Sequence, residues 1–175
     1  MEHILQRAAQ VRLLICDVDG VFSDGTIYLS DQGHEYKQFH VHDGLGIKLL
    51  LKTGVHVAVI SSRSSPLVEK RMRALGIQHI YQGHAEKLPA YIDLLRHFEL
   101  TDTQAAYVGD DYPDLPLLKR VGLSIAVANA VSLVKQYTHW QTKTRGGQGA
   151  IREICELIML AQNTLNTIQT NYLTI

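Results

Sequence analysis

Short apolar runs alternate with amphipathic segments along most of this chain. The apolar runs are rich in β-branched residues, which predicts buried strands. The predicted strands lie at about Val11–Cys16, His56–Ile60, Gln78–Tyr81, Ala105–Val108, Leu123–Val127 and Thr138–Thr142. The predicted helices lie at about Gly44–Thr53, Pro66–Leu75, Lys87–Phe98, Pro113–Val121 and Val131–Gln136. This alternation favours an α/β fold with a doubly wound (Rossmann-like) parallel sheet and helices on both faces.

Two regions depart from the alternation of strand and helix. Gly25–Leu29 and His34–His40 flank a turn-forming tetrapeptide, so we expect a small β-hairpin inserted at about residues 25–40. Near the other end, the glycine-rich segment Arg145-Gly146-Gly147-Gln148-Gly149 precedes a predicted helix over about residues 150–168. A length of 175 residues is typical of one domain, and we identify no linker between domains, so we expect the whole chain to form a single domain.

The composition argues against several classes of function. Seventeen Lys and Arg residues balance 17 Asp and Glu residues, so the formal net charge is zero. Nucleic acids and anionic membranes usually select proteins with a basic excess, so we expect neither as a partner. The sequence lacks a bilayer-spanning apolar stretch and a signal-peptide pattern, and we expect a cytoplasmic protein. Cys16 and Cys155 lie in apolar segments and are interpreted as buried thiols.

The pentapeptide Asp17-Val18-Asp19-Gly20-Val21 carries the most informative chemical pattern. It directly follows the first predicted strand, so two carboxylates lie where a parallel strand ends, which is where open α/β sheets bind ligands. Unpaired charge is costly to bury, and a hard cation such as Mg²⁺, which prefers oxygen ligands, would compensate it. The pentapeptide therefore predicts a metal site at this edge of the sheet.

Three more polar features follow later strands of the predicted sheet. Ser61 follows the second strand, Lys87 lies in the turn before a helix, and the run Gly109-Asp110-Asp111-Tyr112-Pro113-Asp114 follows the fourth strand. In a parallel sheet these residues project from one edge into one crevice. Each acidic or serine feature alone is more often a turn or a helix cap, and a lone lysine is more often a solvated surface residue. The ordered set nevertheless predicts a site that handles metal and phosphate.

This combination of residues suits phosphoryl transfer through a covalent intermediate. Asp17 would act as the nucleophile and form an aspartyl-phosphate. Asp19 would protonate the leaving oxygen and then deprotonate water. Ser61 and Lys87 would bind phosphoryl oxygens. The predicted ligands of Mg²⁺ are Asp17, Asp19 and Asp110, with Asp111 and Asp114 in supporting positions.

The four motifs resemble, in the same order, those of the haloacid dehalogenase superfamily of phosphotransferases. Within that superfamily the chain is similar to capless phosphatases of an eight-carbon sugar acid phosphate, the octulosonate phosphatases. Four segments carry this likeness: Leu14–Gly25, Tyr81–Gly83, Tyr107–Asp111 and Gly146–Glu153. The resemblance covers nearly the whole chain and implies a Mg²⁺-dependent phosphatase in lipopolysaccharide precursor synthesis.

The same resemblance implies that the protein is a homotetramer. Only the hairpin lies between Asp19 and Ser61, and nothing of domain size follows Lys87, so the site of a monomer would be open to water. Capless members of the superfamily assemble through their hairpins, and a neighbouring subunit helps to close each site. The glycine-rich segment with Arg145 is then a candidate lid over its own or a neighbour's site, and a plain flexible loop is the alternative.

The resemblance also assigns residues to the substrate. Arg63 and Arg71 match positions that face the bound anion, although a surface ion pair is a rival interpretation of Arg71. His40-Val41-His42-Asp43-Gly44 matches a substrate-contacting segment whose family pattern is nearer Asn-Val-Arg-Asp-Gly. Its histidines could contact sugar hydroxyls or form an adventitious metal site, and Asp43 is placed to cap the next helix. The predicted substrate contacts are Asp19, His40, His42, Asp43, Gly44, Arg63, Arg71 and Lys87.

Two other functions fit part of this pattern. The absence of the family arginine at position 42 keeps open a phosphatase of a nonulosonate (sialic-acid-like) 9-phosphate, with the same chemistry. A phospho-accepting receiver domain also uses an acidic pair, a hydroxyl and a lysine around Mg²⁺. In receivers the lysine comes last, whereas here Lys87 precedes the acidic run that begins at Asp110. That order favours the phosphatase.

Overall fold

The computed structural model describes residues 1–174. In these residues the strands are β1 (Leu13–Cys16), β2 (Tyr28–Leu29), β3 (Glu35–Tyr36), β4 (His56–Ile60), β5 (His79–Tyr81), β6 (Ala105–Gly109), β7 (Leu123–Ala126) and β8 (Trp140–Gln141). The helices are α1 (Glu2–Gln10), α2 (Val41–Lys52), α3 (Pro66–Leu75), α4 (Leu88–His97), α5 (Leu115–Leu118), α6 (Ser132–Gln136), α7 (Ala150–Ala161) and α8 (Leu165–Leu173). The predicted bounds of β4 and α3 are confirmed, and the predicted helix over residues 113–121 shortens to a 3₁₀ turn (Tyr112–Asp114) followed by α5.

All strands except β2 and β3 form one parallel sheet in the order β5-β4-β1-β6-β7-β8. A parallel sheet is covered on both faces, and β1 and β6 accordingly are buried at every residue. α7 packs along α1 and α2, whereas α4 contacts α5. The predicted doubly wound sheet with helices on both faces is confirmed.

The strand order opens a crevice beside β1. The chain first moves outward from β1 to β4 and β5, and then crosses back to β6 on the other side of β1. The loops that leave β1 and β6 therefore diverge, and doubly wound sheets bind their ligands at this point of divergence. These two loops carry Asp17 and Asp110, so both acidic motifs lie at the crevice.

The inserted hairpin is present but shorter than predicted. β2 and β3 pair in antiparallel fashion over two residues each. The tip closes through Ser30, whose backbone N–H donates to the His34 carbonyl at 2.9 Å, and Gly33 adopts a left-handed φ of 79°. Several apolar side chains of the hairpin are exposed, namely those of Ile27, Tyr28, Leu29 and Tyr36.

The two ends of the chain differ most from the prediction. α1 is not among the predicted elements, although Ile4, Leu5 and Ala8 form an apolar stripe that packs against the core. The helix predicted over residues 150–168 is divided into α7 and α8. The division occurs because Asn163 adopts a left-handed conformation with a φ of 59°, which asparagine tolerates better than most residues.

Two further expectations concern the chain as a whole. None of the helices in residues 1–174 combines the length and the apolar character needed to cross a membrane. Cys16 and Cys155 are buried and unbonded, so the interpretation of both as buried thiols is confirmed.

Candidate active site

The carboxyl edge of the sheet carries a cavity of about 290 Å³. The chain leaves β1, β4 and β6 at this cavity, and Lys87 reaches it from the turn before α4. The lining residues are Asp17, Asp19, Gly25, Ser61, Ser62, Arg63, Lys87, Asp110, Asp111, Pro113 and Asp114. The structure thus brings together residues of all four sequence motifs, because the ends of parallel strands share one edge.

Lys87 links two buried carboxylates of the cavity. Its Nζ donates to Asp17 Oδ1 at 2.5 Å, to Asp114 Oδ1 at 2.7 Å and to the hydroxyl of Tyr107 at 3.2 Å. Burial alone would lower the pKa of Lys87, but the carboxylates of Asp17 and Asp114 raise it. The ammonium therefore stays charged although the residue is buried. We call Asp17, Lys87, Asp110 and Asp114 the inner cluster.

Asp114 organises the loop that follows β6. Its Oδ1 accepts hydrogen bonds from Lys87 and from the Tyr107 hydroxyl, the latter at 2.6 Å. Its Oδ2 accepts the backbone N–H groups of Asp110 at 2.9 Å and Asp111 at 3.2 Å. Both oxygens are thus engaged, which fits the supporting role expected for Asp114. Tyr107 is absent from the sequence-based assignment because it reads there as one apolar residue of a buried strand.

The inner cluster holds more negative than positive charge. Ligand oxygens of Asp17, Asp110 and Asp114 lie within 4.8 Å of one another. Burial and the charge of Asp114 raise the pKa of Asp17 to about 7, against the opposing effect of Lys87. Burial and the charges of Asp17 and Asp114 raise the pKa of Asp110 to about 8. Three carboxylates around one ammonium form an oxygen-rich donor set that fits a hard divalent cation.

We call the loop that follows β1 (residues 17–24) the acidic loop. It approaches Asp110 closely because the residue at position 20 is a glycine, which has no side chain. Gly20 has a φ of 94°, in the left-handed region, and a Cβ there would overlap the Asp110 carboxylate. Asn129 holds the same loop from outside the cavity, since its Nδ2 donates to the Gly20 carbonyl at 3.2 Å and its Oδ1 accepts the Gly146 N–H at 2.6 Å. Sequence reasoning did not find Asn129, because a polar residue in a loop of small residues carries no distinctive pattern.

Asp19 belongs to a second group of charges. Its carboxylate contacts Lys37, and its Oδ2 lies 3.9 Å from Arg63 Nε. Glu35 pairs with both cations, at 3.0 Å from Lys37 Nζ and 3.0 Å from Arg63 Nη2. We call Asp19, Glu35, Lys37 and Arg63 the outer cluster. Asp19 is also predicted from the sequence as a metal ligand. The Asp19 side chain contacts Lys37, and it is not part of the group of nearby carboxylate oxygens formed by Asp17, Asp110 and Asp114. A role of Asp19 in metal binding stays a prediction.

The hairpin therefore contributes directly to the site. Glu35 lies in β3 and Lys37 follows it, whereas Asp19 follows β1 and Arg63 follows β4. The sequence predicted a mainly oligomeric role for the hairpin and assigned no function to Lys37. This contact could not be read from the local pattern, because it depends on how the hairpin folds back over the sheet edge.

Ser61 and Arg63 occupy the start of the loop after β4. The Ser61 side chain is buried, and its hydroxyl accepts the Arg63 backbone N–H at 3.2 Å. The Arg63 side chain is 44% exposed and lines the cavity. Its guanidinium is thus available to an anion that enters from solvent.

The remaining predicted substrate contacts do not line the cavity. His40, His42, Asp43, Gly44 and Arg71 are not among its lining residues. Gly44 instead packs against Arg71, where a Cβ would lie 2.6 Å from Nη2. The rings of His40 and His42 lie 4.8 Å apart at the start of α2. A contact between these residues and substrate stays a prediction.

Asp43 was predicted to cap α2, and this prediction was wrong. Asp43 lies inside α2 and makes no cap for that helix. It is buried, and it accepts the backbone N–H groups of Gly149 at 3.2 Å and Arg152 at 2.8 Å. These groups begin α7, so Asp43 satisfies free donors at the start of a neighbouring helix. The local sequence could not predict a partner more than a hundred residues away.

The glycine-rich segment packs beside the acidic loop and does not line the cavity. Gly146 and Gly147 are buried against the backbone of residues 20–24, where any side chain would overlap main-chain atoms. The Gly147 N–H donates to the Val21 carbonyl at 2.9 Å. Arg145 is exposed and does not line the cavity. Closure of a neighbour's site by this segment stays a prediction.

The sheet order and the acidic site at its carboxyl edge are typical of haloacid dehalogenase-like hydrolases. The sequence model of the haloacid dehalogenase-like hydrolase family matches residues 76–154. The receiver alternative is excluded by this membership and by the strand order, since receivers use the shorter flavodoxin-like order.

Similar proteins and solved structures show to which branch of the family the chain belongs. A 3-deoxy-D-manno-octulosonate 8-phosphate phosphatase of Yersinia pestis is 50% identical over 94% of this chain and 88% of its own length. Among solved structures, a probable YrbI family phosphatase of Pseudomonas syringae is 45% identical, with a TM-score of 0.98 over 100% of this chain and 99% of that one. The 3-deoxy-D-manno-octulosonate 8-phosphate phosphatase of Moraxella catarrhalis, solved with magnesium, phosphate and KDO, is 40% identical with a TM-score of 0.96 over 98% and 99%. The chain belongs to the family of 3-deoxy-D-manno-octulosonate 8-phosphate phosphatases.

Proposed function

We propose that this protein hydrolyses 3-deoxy-D-manno-octulosonate 8-phosphate to the free sugar acid and phosphate, as a step in lipopolysaccharide precursor biosynthesis. The Yersinia pestis relative carries this activity in its name, and the Moraxella catarrhalis structure holds magnesium, phosphate and KDO together. The observation that carries the proposal is the convergence of Asp17, Lys87 and Asp110 in one cavity that Arg63 also lines.

The residues of the inner cluster fit a bound Mg²⁺. Asp17 and Asp110 would hold it, with Asp114 keeping the loop of Asp110 in place through two backbone hydrogen bonds. When bound, the ion would neutralise charge on the phosphoryl oxygens during transfer. The raised pKa values of Asp17 and Asp110 support this assignment, because burial and neighbouring carboxylates disfavour the ionised forms that a bound cation would stabilise.

Asp17 is the proposed nucleophile. Lys87 holds its Oδ1 at 2.5 Å, which fixes the orientation of the carboxylate. An oxygen of Asp17 attacks phosphorus as the bond from phosphorus to the sugar oxygen breaks, and an aspartyl-phosphate results. The Ser61 hydroxyl and the Lys87 ammonium would donate hydrogen bonds to the transferring oxygens.

Asp19 is the proposed general acid and base. It lines the cavity two residues beyond Asp17 and is 26% exposed, so it can reach both the sugar oxygen and water. Asp19 would give its proton to the departing sugar oxygen. It would then take a proton from the water that attacks phosphorus and releases phosphate from Asp17. Asp17 and Asp19 return to their starting forms in each cycle.

The sugar acid carboxylate would bind near Arg63. Its guanidinium presents donors that match a carboxylate in pairs, and 44% of the side chain is exposed at the cavity. The outer cluster holds Arg63 through Glu35, a surface contact that an incoming anion could replace.

A homotetramer completes the proposal. Apolar side chains on both strands of the hairpin are exposed, with Leu29 at 69% and Tyr36 at 58%, and assembly through the hairpins would cover them. The cavity of one protomer is open, so closure by a neighbour would exclude water from the reaction. A reducing cytoplasm fits the two unbonded cysteines.

A phosphate-release assay over sugar acid phosphates tests this function. We expect the highest kcat/KM for 3-deoxy-D-manno-octulosonate 8-phosphate with Mg²⁺, and loss of activity when a chelator removes the metal. A higher kcat/KM for a nonulosonate 9-phosphate would contradict the substrate assignment. Activity that persists in full under chelation would contradict the metal assignment.

A further inference from the structure

Lys37 is half-buried, with its side chain enclosed, at a position where the neighbouring residues are exposed. Its side chain is only 3% exposed, whereas Tyr36 and Gln38 on either side are exposed. Burying an ammonium costs free energy unless the charge is paired. The partners of Lys37 are Asp19 and Glu35, so its charge is fully engaged by carboxylates. The burial of Lys37 thus fixes the hairpin stem against the acidic loop.

The outer cluster forms a closed ring of alternating charges. Each carboxylate, Asp19 or Glu35, faces both cations, Lys37 and Arg63. The two contacts of Asp19 differ, because Lys37 contacts Oδ1, whereas Arg63 Nε lies 3.9 Å from Oδ2. A separation of 3.9 Å is too long for a hydrogen bond. Lys37 thus holds one oxygen of Asp19, and Arg63 does not occupy the other.

We infer that Lys37 is a positioning residue for proton transfer by Asp19. Its ammonium holds Oδ1 and so orients the carboxylate, which leaves Oδ2 to exchange the proton with the sugar oxygen and later with water. The inference rests on the proposed function, because that proposal assigns proton transfer to Asp19. It gives the hairpin a part in the chemistry in addition to its proposed part in assembly.

The choice of leaving group separates this role from a structural one. A sugar or other alkyl phosphate must protonate its leaving oxygen, so its hydrolysis depends on a well-placed general acid. The nitrophenolate of p-nitrophenyl phosphate is a stable anion and leaves without that proton. The parameter kcat/KM reports the steps up to this first bond cleavage. A misplaced Asp19 therefore reduces kcat/KM for alkyl phosphates only, whereas a distorted site reduces it for both substrates.

Lys37→Met tests the inference, because it keeps the length of the side chain and removes the charge. We expect kcat/KM to fall about 100-fold on 3-deoxy-D-manno-octulosonate 8-phosphate and less than about threefold on p-nitrophenyl phosphate. Lys37→Arg keeps the positive charge, so it should retain part of the kcat/KM on 3-deoxy-D-manno-octulosonate 8-phosphate that Lys37→Met loses. Gln38→Met, an exposed neighbour, is the matched control and should change neither. Equal losses on both substrates in Lys37→Met would overturn the inference.

Two more variants keep the test decisive. Glu35→Gln removes the charge of the other partner of Lys37 but keeps the contact with Asp19. Because Glu35 also pairs with Arg63, this variant and Lys37→Met are compared on an alkyl phosphate without a carboxylate, and in Glu35→Gln the ratio of kcat/KM for that phosphate to kcat/KM for p-nitrophenyl phosphate should stay unchanged. A shift in that ratio as large as in Lys37→Met would assign the effect to the hairpin and overturn the inference. Lys37→Gln carries the same expectation as Lys37→Met should the latter fail to fold.

Failure of the proposed function gives a different result. If the wild-type protein does not hydrolyse 3-deoxy-D-manno-octulosonate 8-phosphate, the substrate assignment fails. The comparison for Lys37 then uses whichever alkyl phosphate the wild type hydrolyses, and its outcome supports or overturns the inference in the same way.

Discussion

The inner and outer clusters lie side by side at one edge of the sheet but balance their charges differently. The inner cluster places three carboxylates around one ammonium, in loops and turns at the carboxyl edge of the sheet. The outer cluster has two carboxylates and two cations, shared between the hairpin and two loops. The inner cluster, when ionised, therefore has an excess of negative charge that a further cation would balance, whereas the carboxylates and cations of the outer cluster are equal in number.

In the proposed mechanism the inner cluster supplies the nucleophile and the metal site, whereas the outer cluster supplies the proton-transfer residue Asp19 and the substrate-binding residue Arg63. Burial and mutual repulsion raise the pKa of Asp17 to about 7 and that of Asp110 to about 8, so the inner cluster lowers stability until a cation binds. In the outer cluster, contact with Lys37 holds the pKa of Glu35 below its ordinary value. Strongly raised carboxylate pKa values are typical of catalytic sites. The outer cluster, which is neutral overall and partly exposed, suits substrate entry.

The largest expected effect is that of Asp17→Asn in the inner cluster. The amide cannot attack phosphorus, so kcat should fall by about 10⁴-fold or more. The fold should persist, because the change removes a repulsive charge from a buried site. Phosphate release and a thermal melt measure the two effects, and Asp31→Asn on the exposed hairpin tip is the control. A variant with near-normal turnover would exclude Asp17 as the nucleophile.

Asp110→Asn should weaken Mg²⁺ binding while leaving the fold in place. Loss of one carboxylate from the proposed donor set should raise the Mg²⁺ concentration required for half-maximal activity by about 10- to 100-fold. The metal-free variant should also be more stable than the metal-free wild type, because Asp17 loses a repulsive neighbour. If the Mg²⁺ requirement is unchanged, Asp110 is not a ligand.

Arg63→Ala, a change in the outer cluster, should weaken substrate binding more than it slows the chemical step. We expect KM for the sugar acid phosphate to rise by about 10-fold while kcat changes little, because in the proposed mechanism the guanidinium would contact the substrate equally in the ground and transition states. Arg73→Ala is the matched control, since Arg73 is an exposed arginine that pairs with Glu69 on α3. A fall in kcat comparable to that in Asp17→Asn would remove the distinction between the two clusters.

The smallest expected effect is a pH dependence of stability. In the metal-free fold, Asp17 and Asp110 keep their protons up to about pH 7 and 8, against an ordinary value of 3.8. The folded state thus binds more protons than the unfolded chain, so its stability falls as pH rises through this window. Mg²⁺ should therefore raise Tm by about 5 °C more near pH 8.5 than near pH 5.5. Equal stabilisation by Mg²⁺ at both pH values would contradict the charge imbalance of the inner cluster.

Local signals account for the parts of the fold that the sequence predicts well. α3 begins with Pro66 in its first turn and ends at Gly76, which adopts a left-handed φ of 93°. Both residues act through their own backbone, so the bounds follow from the chain alone. The carboxylates of Asp17 and Asp110 could be placed together for a similar reason, because each follows a short apolar run that reads as a parallel strand.

The parts that sequence reasoning missed depend on contacts between distant segments. Lys37 reaches Asp19 only because the hairpin folds back over the sheet edge. Asp43 caps α7 instead of its own helix, through backbone groups of Gly149 and Arg152. Asn129 joins the acidic loop to the glycine-rich segment. A polar residue in such a position gives no periodic pattern, so the structure is needed to find it.

Chemical trapping of the phosphorylated enzyme tests the central claim most directly. Wild-type protein is mixed with Mg²⁺ and 3-deoxy-D-manno-octulosonate 8-phosphate, quenched in acid and reduced with borohydride, which converts an aspartyl-phosphate to homoserine. Peptide mass spectrometry should find homoserine at position 17, only when substrate is present. Homoserine at Asp19 or Asp110 instead, or hydrolysis within a single turnover without any reducible aspartyl-phosphate, would contradict the account.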